Sequence, residues 1–199
     1  MSDLISPIIL ASASPRRQEL LAQAGVRYTV QVSGCDETPI DGESPQQMVE
    51  RLAVLKAQAV AADSPQAYII GADTTVYIDG ISLGKPSSLI EAGQMLRTIQ
   101  GRTHEVWGGI AIVHSAKKLT QVWSHVTSVT MKAMSETMIQ DYIATGEPLD
   151  KAGSYAIQGI GLQFVDCISG SYSNVVGLNI AALMQRLREL SHHERSTHS

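Results

Sequence analysis

The chain reads as an α/β protein with a mixed sheet, on three observations. Short apolar runs fit for strands alternate with stretches of helical periodicity, as where Ile8-Ile9-Leu10-Ala11 gives way to Leu20, Leu21 and Ala24. Helix-start signatures precede several of the periodic stretches, and a two-residue hairpin signal follows one of the strands. Interleaving of this kind builds a sheet covered by helices, and the hairpins make that sheet mixed rather than wholly parallel.

The elements follow in order. Ile8-Ile9-Leu10-Ala11 is short enough for a buried strand, and Ser14 then stands as an N-cap with Pro15 at the first helical position, where its missing N–H costs nothing. That helix stops at Gly25. Residues 28–32 form a second strand, followed by the polar loop Ser33-Gly34-Cys35-Asp36-Glu37-Thr38-Pro39. Ser44 and Gln47 form a capping box for a helix to about Ala62, with Met48, Leu52, Leu55 and Ala59 facing inward. A strand from Tyr68 runs through Asp73 and Ile78 to the hairpin pair Asp79-Gly80. Ser88 with Glu91 is a second capping box, for a helix through Met95, Leu96 and Ile99 that ends at Gly101. Strands are expected at 106–113 and 122–131, then a helix capped by Ser135 and closed by Gly146. The glycine-rich stretch 147–161 reads as a functional loop, 164–168 as a short strand and 178–190 as a closing helix. The expected organisation is one catalytic domain over 1–190, in two lobes, and a flexible polar tail over 191–199.

Composition narrows the function classes. Hydrophobic residues at 44% and charged residues at 17% describe a folded enzyme rather than a disordered chain. A formal charge of −4 argues against a general nucleic-acid binder, yet allows a locally basic cleft for a small anion. Cys35 and Cys167 stand far apart with no partners at metal-ligand spacing, which favours a reducing, cytoplasmic setting. The first seven residues carry neither the basic nor the apolar part of a secretory signal, and no apolar run approaches bilayer length, so no membrane segment is expected.

Three groups of residues carry the chemistry. Arg16 and Arg17 fall in the opening turn of a helix, where the macrodipole already presents positive charge. Such a start, with free backbone N–H groups and the hydroxyls of Ser12 and Ser14, is either a solvated basic helix end or a site for a polyphosphate. Lys56 lies within the apolar sector of its helix, between Leu52 and Val49, so it either snorkels outward or reaches a buried anion. Lys85 follows the hairpin in Gly84-Lys85-Pro86 and by itself is an ordinary surface lysine. Asp73 interrupts an apolar strand and needs a partner there: it is a hydrogen-bonded structural acid, or a metal ligand or general base with Asp36 and Glu37 converging on it. Hard oxygen donors without histidine or cysteine point to Mg²⁺ or Mn²⁺ bridged through phosphates.

Six segments occur in order: Ser12-Ala13-Ser14-Pro15-Arg16-Arg17, Gly71-Ala72-Asp73-Thr74, Gly84-Lys85-Pro86, Asp150-Lys151-Ala152-Gly153, Ile157-Gln158-Gly159 and Val176-Gly177-Leu178. Together they resemble the Maf family of nucleotide pyrophosphatases over nearly the whole chain. The resemblance implies a Maf/ITPase-like fold, an elongated twisted mixed sheet flanked by helices with two lobes around a central cleft. It also implies metal-dependent hydrolysis between the α- and β-phosphates of a nucleoside triphosphate, and a homodimer. By position, Asp73 matches the family's proton acceptor, and Asp36 and Glu37 its acidic loop. Ser12, Arg16, Arg17, Lys56 and Lys85 match its phosphate-binding residues. Arg16, Thr74 and Gln158 match the positions that separate its branches, and here they resemble the branch acting on dTTP and UTP. The rival readings are the branch acting on 7-methyl-GTP or other modified nucleotides, and a septum-formation regulator without catalysis. An amide at Gln158 offers both donor and acceptor to a pyrimidine edge. Asn179 replaces a usual proline, and Ser154 and Ala156 replace the commoner alanine and glycine beside Tyr155.

Overall fold

The computed structural model describes Ile5 and residues 7–197. The other residues, which include parts of the first seven residues and of the polar tail read from the sequence, lie outside that description. In chain order the elements are β1 (Ile8–Leu10), α1 (Pro15–Gln23), β2 (Thr29–Val30), α2 (Pro45–Ala61), β3 (Tyr68–Ile78) and β4 (Ile81–Leu83). Then follow α3 (Leu89–Ile99), β5 (Thr103–His114), β6 (Leu119–Met131) and α4 (Glu136–Ala144), three 3-10 turns between Glu147 and Phe164, β7 (Val165–Ser169), α5 (Tyr172–Val176) and α6 (Ile180–Thr197). One sheet runs in the order β2-β1-β3-β5-β6-β7, with β4 paired to β3. β1 lies parallel to β2 and β3, whereas β4 on β3 and β7 on β6 are antiparallel, so the sheet is mixed as expected.

The chain divides into two compact units. The first holds the chain up to Asp73 together with Gly108–His125 and everything from Gly177 onward; the second holds Thr74–Trp107 and Val126–Val176. In the first unit, Ala53, Ala57, Val60 and Ala61 of α2 pack with Ile69, Ala111 and Val113 of the strands and with Ala11 just after β1. In the second, Leu96 and Ile99 of α3 join Ile139 and Tyr142 of α4 and Val129 and Met131 of β6.

Local rules account for most element boundaries. Both halves of the capping box form at α2, the Gln47 N–H donating to Ser44 Oγ at 3.2 Å and the Ser44 N–H to Gln47 Oε1 at 3.0 Å. α1 ends in a Schellman motif, with the Gly25 N–H on Ala22 O, the Val26 N–H on Leu21 O, and Gly25 at φ +71°. Asp79 and Gly80 both take positive φ, +52° and +82°, as a type I′ hairpin turn demands.

Several expectations need correction. Ser14 is the N-cap of α1 with Pro15 behind it, as expected, and only the side-chain cap bond is missing. At α3, Ser88 Oγ accepts the Glu91 N–H, but the Glu91 carboxylate reaches Ser87 rather than the cap, so the box is half formed. On α2 the buried stripe is Val49, Leu52, Ala53, Lys56, Ala57 and Val60, which leaves Leu55 and Ala59 exposed and Met48 only half-buried. Finally, α6 does not stop at Leu190. Ser191 is buried, donating to Leu187 O and accepting the Ile5 N–H, and Glu194 pairs with Lys117, so the helix continues to Thr197.

Candidate active site

The first unit brings a cation and two carboxylates to one point. Gly71 of β3 and Gly109 of β5 let α2 lie unusually close to the sheet: an added Cβ would stand 2.1 Å from Ala53 O at Gly71 and 2.2 Å from Val49 O at Gly109. That approach carries Lys56, 7% exposed, onto Asp73, 8% exposed, near the middle of β3. Lys56 Nζ donates to Asp73 Oδ1 at 2.7 Å and sits 2.7 Å from Glu37 Oε2. Of the two sequence readings of Lys56, the buried anion is the one realised. The Glu37 side chain keeps 54% of its exposure, so one carboxylate of the pair faces the interior and the other solvent.

Asp36 takes a different part. Its Oδ1 accepts from the Thr38 N–H at 2.9 Å and from Thr38 Oγ1 at 2.6 Å, which holds the carboxyl below its usual range. Arg51, clasping Glu43 through Nε and Nη2 at 2.7 Å each, also donates to Thr38 O. The acidic loop is thereby tied to α2 through Arg51, and Asp36 Oδ1 braces the turn at Thr38.

Arg17 is a strut as well as a charge. Its Nε donates to Gly177 O at 2.9 Å, and its Nη1 to Ala72 O at 2.9 Å and Ser12 Oγ at 3.1 Å. Those bonds join the β1–α1 loop to the residue preceding Asp73 and to the segment before α6. Burial pushes the Arg17 guanidinium below its ordinary value, Asp73 and Glu37 oppose the shift, and Arg16 adds to it. An arginine nonetheless stays charged at neutral pH. Arg16, Arg17, Asp73 and Glu37 therefore share one electrostatic environment, floored by the buried Ser12.

Asn179, in place of the expected proline, caps α6: its Oδ1 accepts the Ala182 N–H at 3.2 Å and its carbonyl the Leu183 N–H. The substitution keeps a helix start by side-chain capping where proline would have pre-set the backbone.

Thr74, Lys85 and Gln158 lie in the second unit. Thr74 follows Asp73 on β3 and is half-buried, its side chain pointing to the opposite sheet face. Lys85 is exposed beside buried Pro86, and the preceding Gly84 carbonyl accepts the Gly153 N–H at 3.0 Å. Gly153 sits at φ +65°, with Val76 Cγ2 only 2.8 Å from where a Cβ would be. The Lys85 loop is thus fastened to the segment that leads into Gln158. Ser154 is fully buried and donates to Met95 Sδ, which explains how a hydroxyl is tolerated there.

The donor chemistry fits a hard divalent cation only with help. Among the described residues no three His, Cys, Asp or Glu side chains form a metal cage. Asp73 and Glu37 nevertheless converge on a single cationic point, now held by Lys56 Nζ. One or two carboxylates completed by substrate phosphates and water is the ordinary way in which Mg²⁺ is held. Neither Gly71 and Gly109 as the reason for the close approach nor Arg51 was evident from the sequence, although Gly71 stands inside the Gly71-Ala72-Asp73-Thr74 segment.

A helix start bearing two arginines thus shares its surroundings with a buried lysine–carboxylate cluster. The sequence profile of the Maf-like protein family matches residues 7–190, and the chain belongs to that family. A dTTP/UTP pyrophosphatase of Desulforamulus reducens is 48% identical over 182 residues, covering 92% of this chain and 95% of that protein. Another of Pelotomaculum thermopropionicum is 46% identical over 185 residues, covering 93% and 97%. Among solved structures, the Staphylococcus aureus Ham1 protein aligns over 79% of each chain at 15% identity with a TM-score of 0.44, too loose a likeness to inform the site. No helix among the described residues is long and apolar enough to cross a membrane.

Proposed function

We propose that the protein hydrolyses dTTP and UTP to the nucleoside monophosphate and pyrophosphate. The observation that carries the proposal is the meeting of Asp73 and Glu37 on Lys56 in the electrostatic field of Arg16 and Arg17. Relatives bearing the name dTTP/UTP pyrophosphatase, at 46–48% identity over more than nine-tenths of the chain, support it.

Each residue has a distinct task in this reading. Asp73 accepts a proton from the attacking water, oriented for it by Lys56 on its other oxygen. The water oxygen bonds to the α-phosphorus, the bond from that phosphorus to the bridging oxygen breaks, and pyrophosphate leaves. Arg16, Arg17, Lys56 and Lys85 offset the charge developing on the phosphates, and Ser12 helps to seat them. Asp73 and Glu37, with Asp36 shaping their loop, would hold a Mg²⁺ or Mn²⁺ ion. Such an ion, when bound, polarises the phosphoryl oxygens and lowers the pKa of a bound water. Arg16, Thr74 and Gln158 choose the base, the Gln158 amide supplying one donor and one acceptor to a pyrimidine edge. A homodimer in a cytoplasmic setting completes the proposal, resting on the family resemblance and on two free cysteines.

The test is product identity in the presence of Mg²⁺. Pyrophosphate, not orthophosphate, is expected from dTTP and UTP, and Asp73→Asn is expected to lower turnover by about a hundredfold or more without altering the fold. Orthophosphate as product, or near-normal rates in Asp73→Asn, would overturn the proposal.

A further inference from the structure

The loop that carries Gln158 is held on both sides by two residues that the reaction itself does not use. Tyr142, in the last turn of α4, is buried, and its hydroxyl accepts the Ala156 N–H at 3.1 Å. The same hydroxyl donates to Glu147 Oε1 at 2.8 Å. Glu147 Oε1 also accepts the Gly161 N–H at 2.8 Å, and Glu147 Oε2 accepts the Ile160 N–H at 2.8 Å. One carboxylate and one phenol thus fix the backbone two residues before Gln158 and two and three residues after it. Gln158 itself lies between these anchors with extended backbone, at φ −107° and ψ 156°.

The packing around the clamp leaves no slack. A Cβ on Gly159 would stand 2.5 Å from Glu147 Oε2, and Gly159 takes φ +75°. At Gly161 a Cβ would stand 2.3 Å from Ala156 O and 2.5 Å from the Tyr142 hydroxyl. Gly159 and Gly161, on either side of Ile160, are therefore the residues that let the backbone close onto the clamp. Burial alone would raise the Glu147 carboxyl, but the N–H groups of Ile160 and Gly161 and the Tyr142 hydroxyl together hold it below its usual value. A third anchor lies just upstream, where the buried Tyr155 hydroxyl meets His104 Nε2 at 2.8 Å.

We infer that Glu147 and Tyr142 are positioning residues for base selection: they set the placement of the Gln158 amide and so determine which nucleobase the enzyme accepts. This rests on the pyrimidine-triphosphate reading above. A donor–acceptor pair discriminates between bases only if it is held to within a fraction of an ångström, and a loop pinned on both sides supplies that. Glu147→Gln keeps the size of the side chain but replaces one accepting oxygen by an NH₂ group, so it cannot accept both backbone N–H groups.

The experiment compares UTP with CTP and GTP for wild type, Glu147→Gln, Gln158→Ala and the double variant, reading kcat and KM separately. Glu147→Gln is expected to raise KM for UTP about tenfold and to erode selectivity by a similar factor, with a smaller change in kcat. In the Gln158→Ala background the same substitution is expected to cost no further selectivity, because the group it positions is gone. Tyr142→Phe, which keeps the ring in the core, covers the case in which Glu147→Gln fails to fold; it should move selectivity in the same direction. An active wild type whose selectivity survives Glu147→Gln, or Tyr142→Phe if that is the variant that folds, overturns the positioning role. So does an equal loss with and without Gln158. A wild type that releases no pyrophosphate from UTP overturns the pyrimidine reading and this inference with it.

Discussion

Gly71→Ala should damage the proposed active site without touching any charged residue. The added methyl would stand 2.1 Å from Ala53 O and 2.9 Å from Ala57 N, both backbone atoms of α2 with no side-chain freedom to yield. A carbon–oxygen contact needs about 3.3 Å, so α2 and β3 must part locally by about 1.2 Å. Lys56, three residues from Ala53 on the same buried stripe, moves with the helix, and its 2.7 Å bond to Asp73 stretches past hydrogen-bonding range. Overpacking of this kind costs about 1–3 kcal/mol of stability. A misplacement near 1 Å costs roughly a hundredfold in rate where geometry sets the barrier. Urea unfolding and pyrophosphate release from saturating UTP measure the two effects, and Gly109→Ala, with Val49 O at 2.2 Å, should behave alike. A Gly71→Ala protein within about 0.5 kcal/mol of wild type and within a factor of two in rate would refute the close-approach argument.

Two other perturbations probe the same physics. Lys56→Met leaves the Asp73 carboxylate buried without its ammonium, and should lower the unfolding free energy by about 3 kcal/mol, read from the urea midpoint at pH 7. An unchanged midpoint would mean that the pair contributes nothing. Burial of His104 lowers its imidazole from 6.5 to about 4, so the unfolded chain binds the extra proton first as pH falls. Its contribution is complete above pH 6.5 and is lost on the way down to pH 4, a loss of about 2–3 kcal/mol by pH 4.5. Unfolding curves at pH 7.5 and 4.5 should show a smaller pH-dependent loss in His104→Gln than in wild type.

What the sequence made legible was decided by short-range rules. The Ser44–Gln47 box, the Gly25 terminator and the Asp79-Gly80 turn each depend on residues within a few positions of one another, and all formed. Lys56 could be placed on an apolar face by periodicity alone. The phase of α2 could not be read so well, because the larger Leu55 outweighs alanine in any hydrophobic pattern, while the close approach at Gly71 and Gly109 selects Ala53 and Ala57 for the interface. The half-formed box at α3 and the continuation of α6 have the same origin, since Ser87 and the buried Ser191 find partners that spacing does not reveal. At the site, residue types pointed to three carboxylates around one or two metal ions; the structure gathers Asp73 and Glu37 on Lys56 and bonds one oxygen of Asp36 to Thr38. The Tyr142–Glu147 clamp was hidden for a further reason: its partners are backbone N–H groups, which every non-proline residue carries.

In the proposed reaction water attacks the α-phosphorus of the triphosphate. Hydrolysis of UTP in ¹⁸O-labelled water, followed by mass spectrometry of both products, tests it most directly. One labelled oxygen is expected in UMP and none in pyrophosphate. Label in the pyrophosphate with unlabelled UMP would place the attack on the β-phosphorus and contradict it.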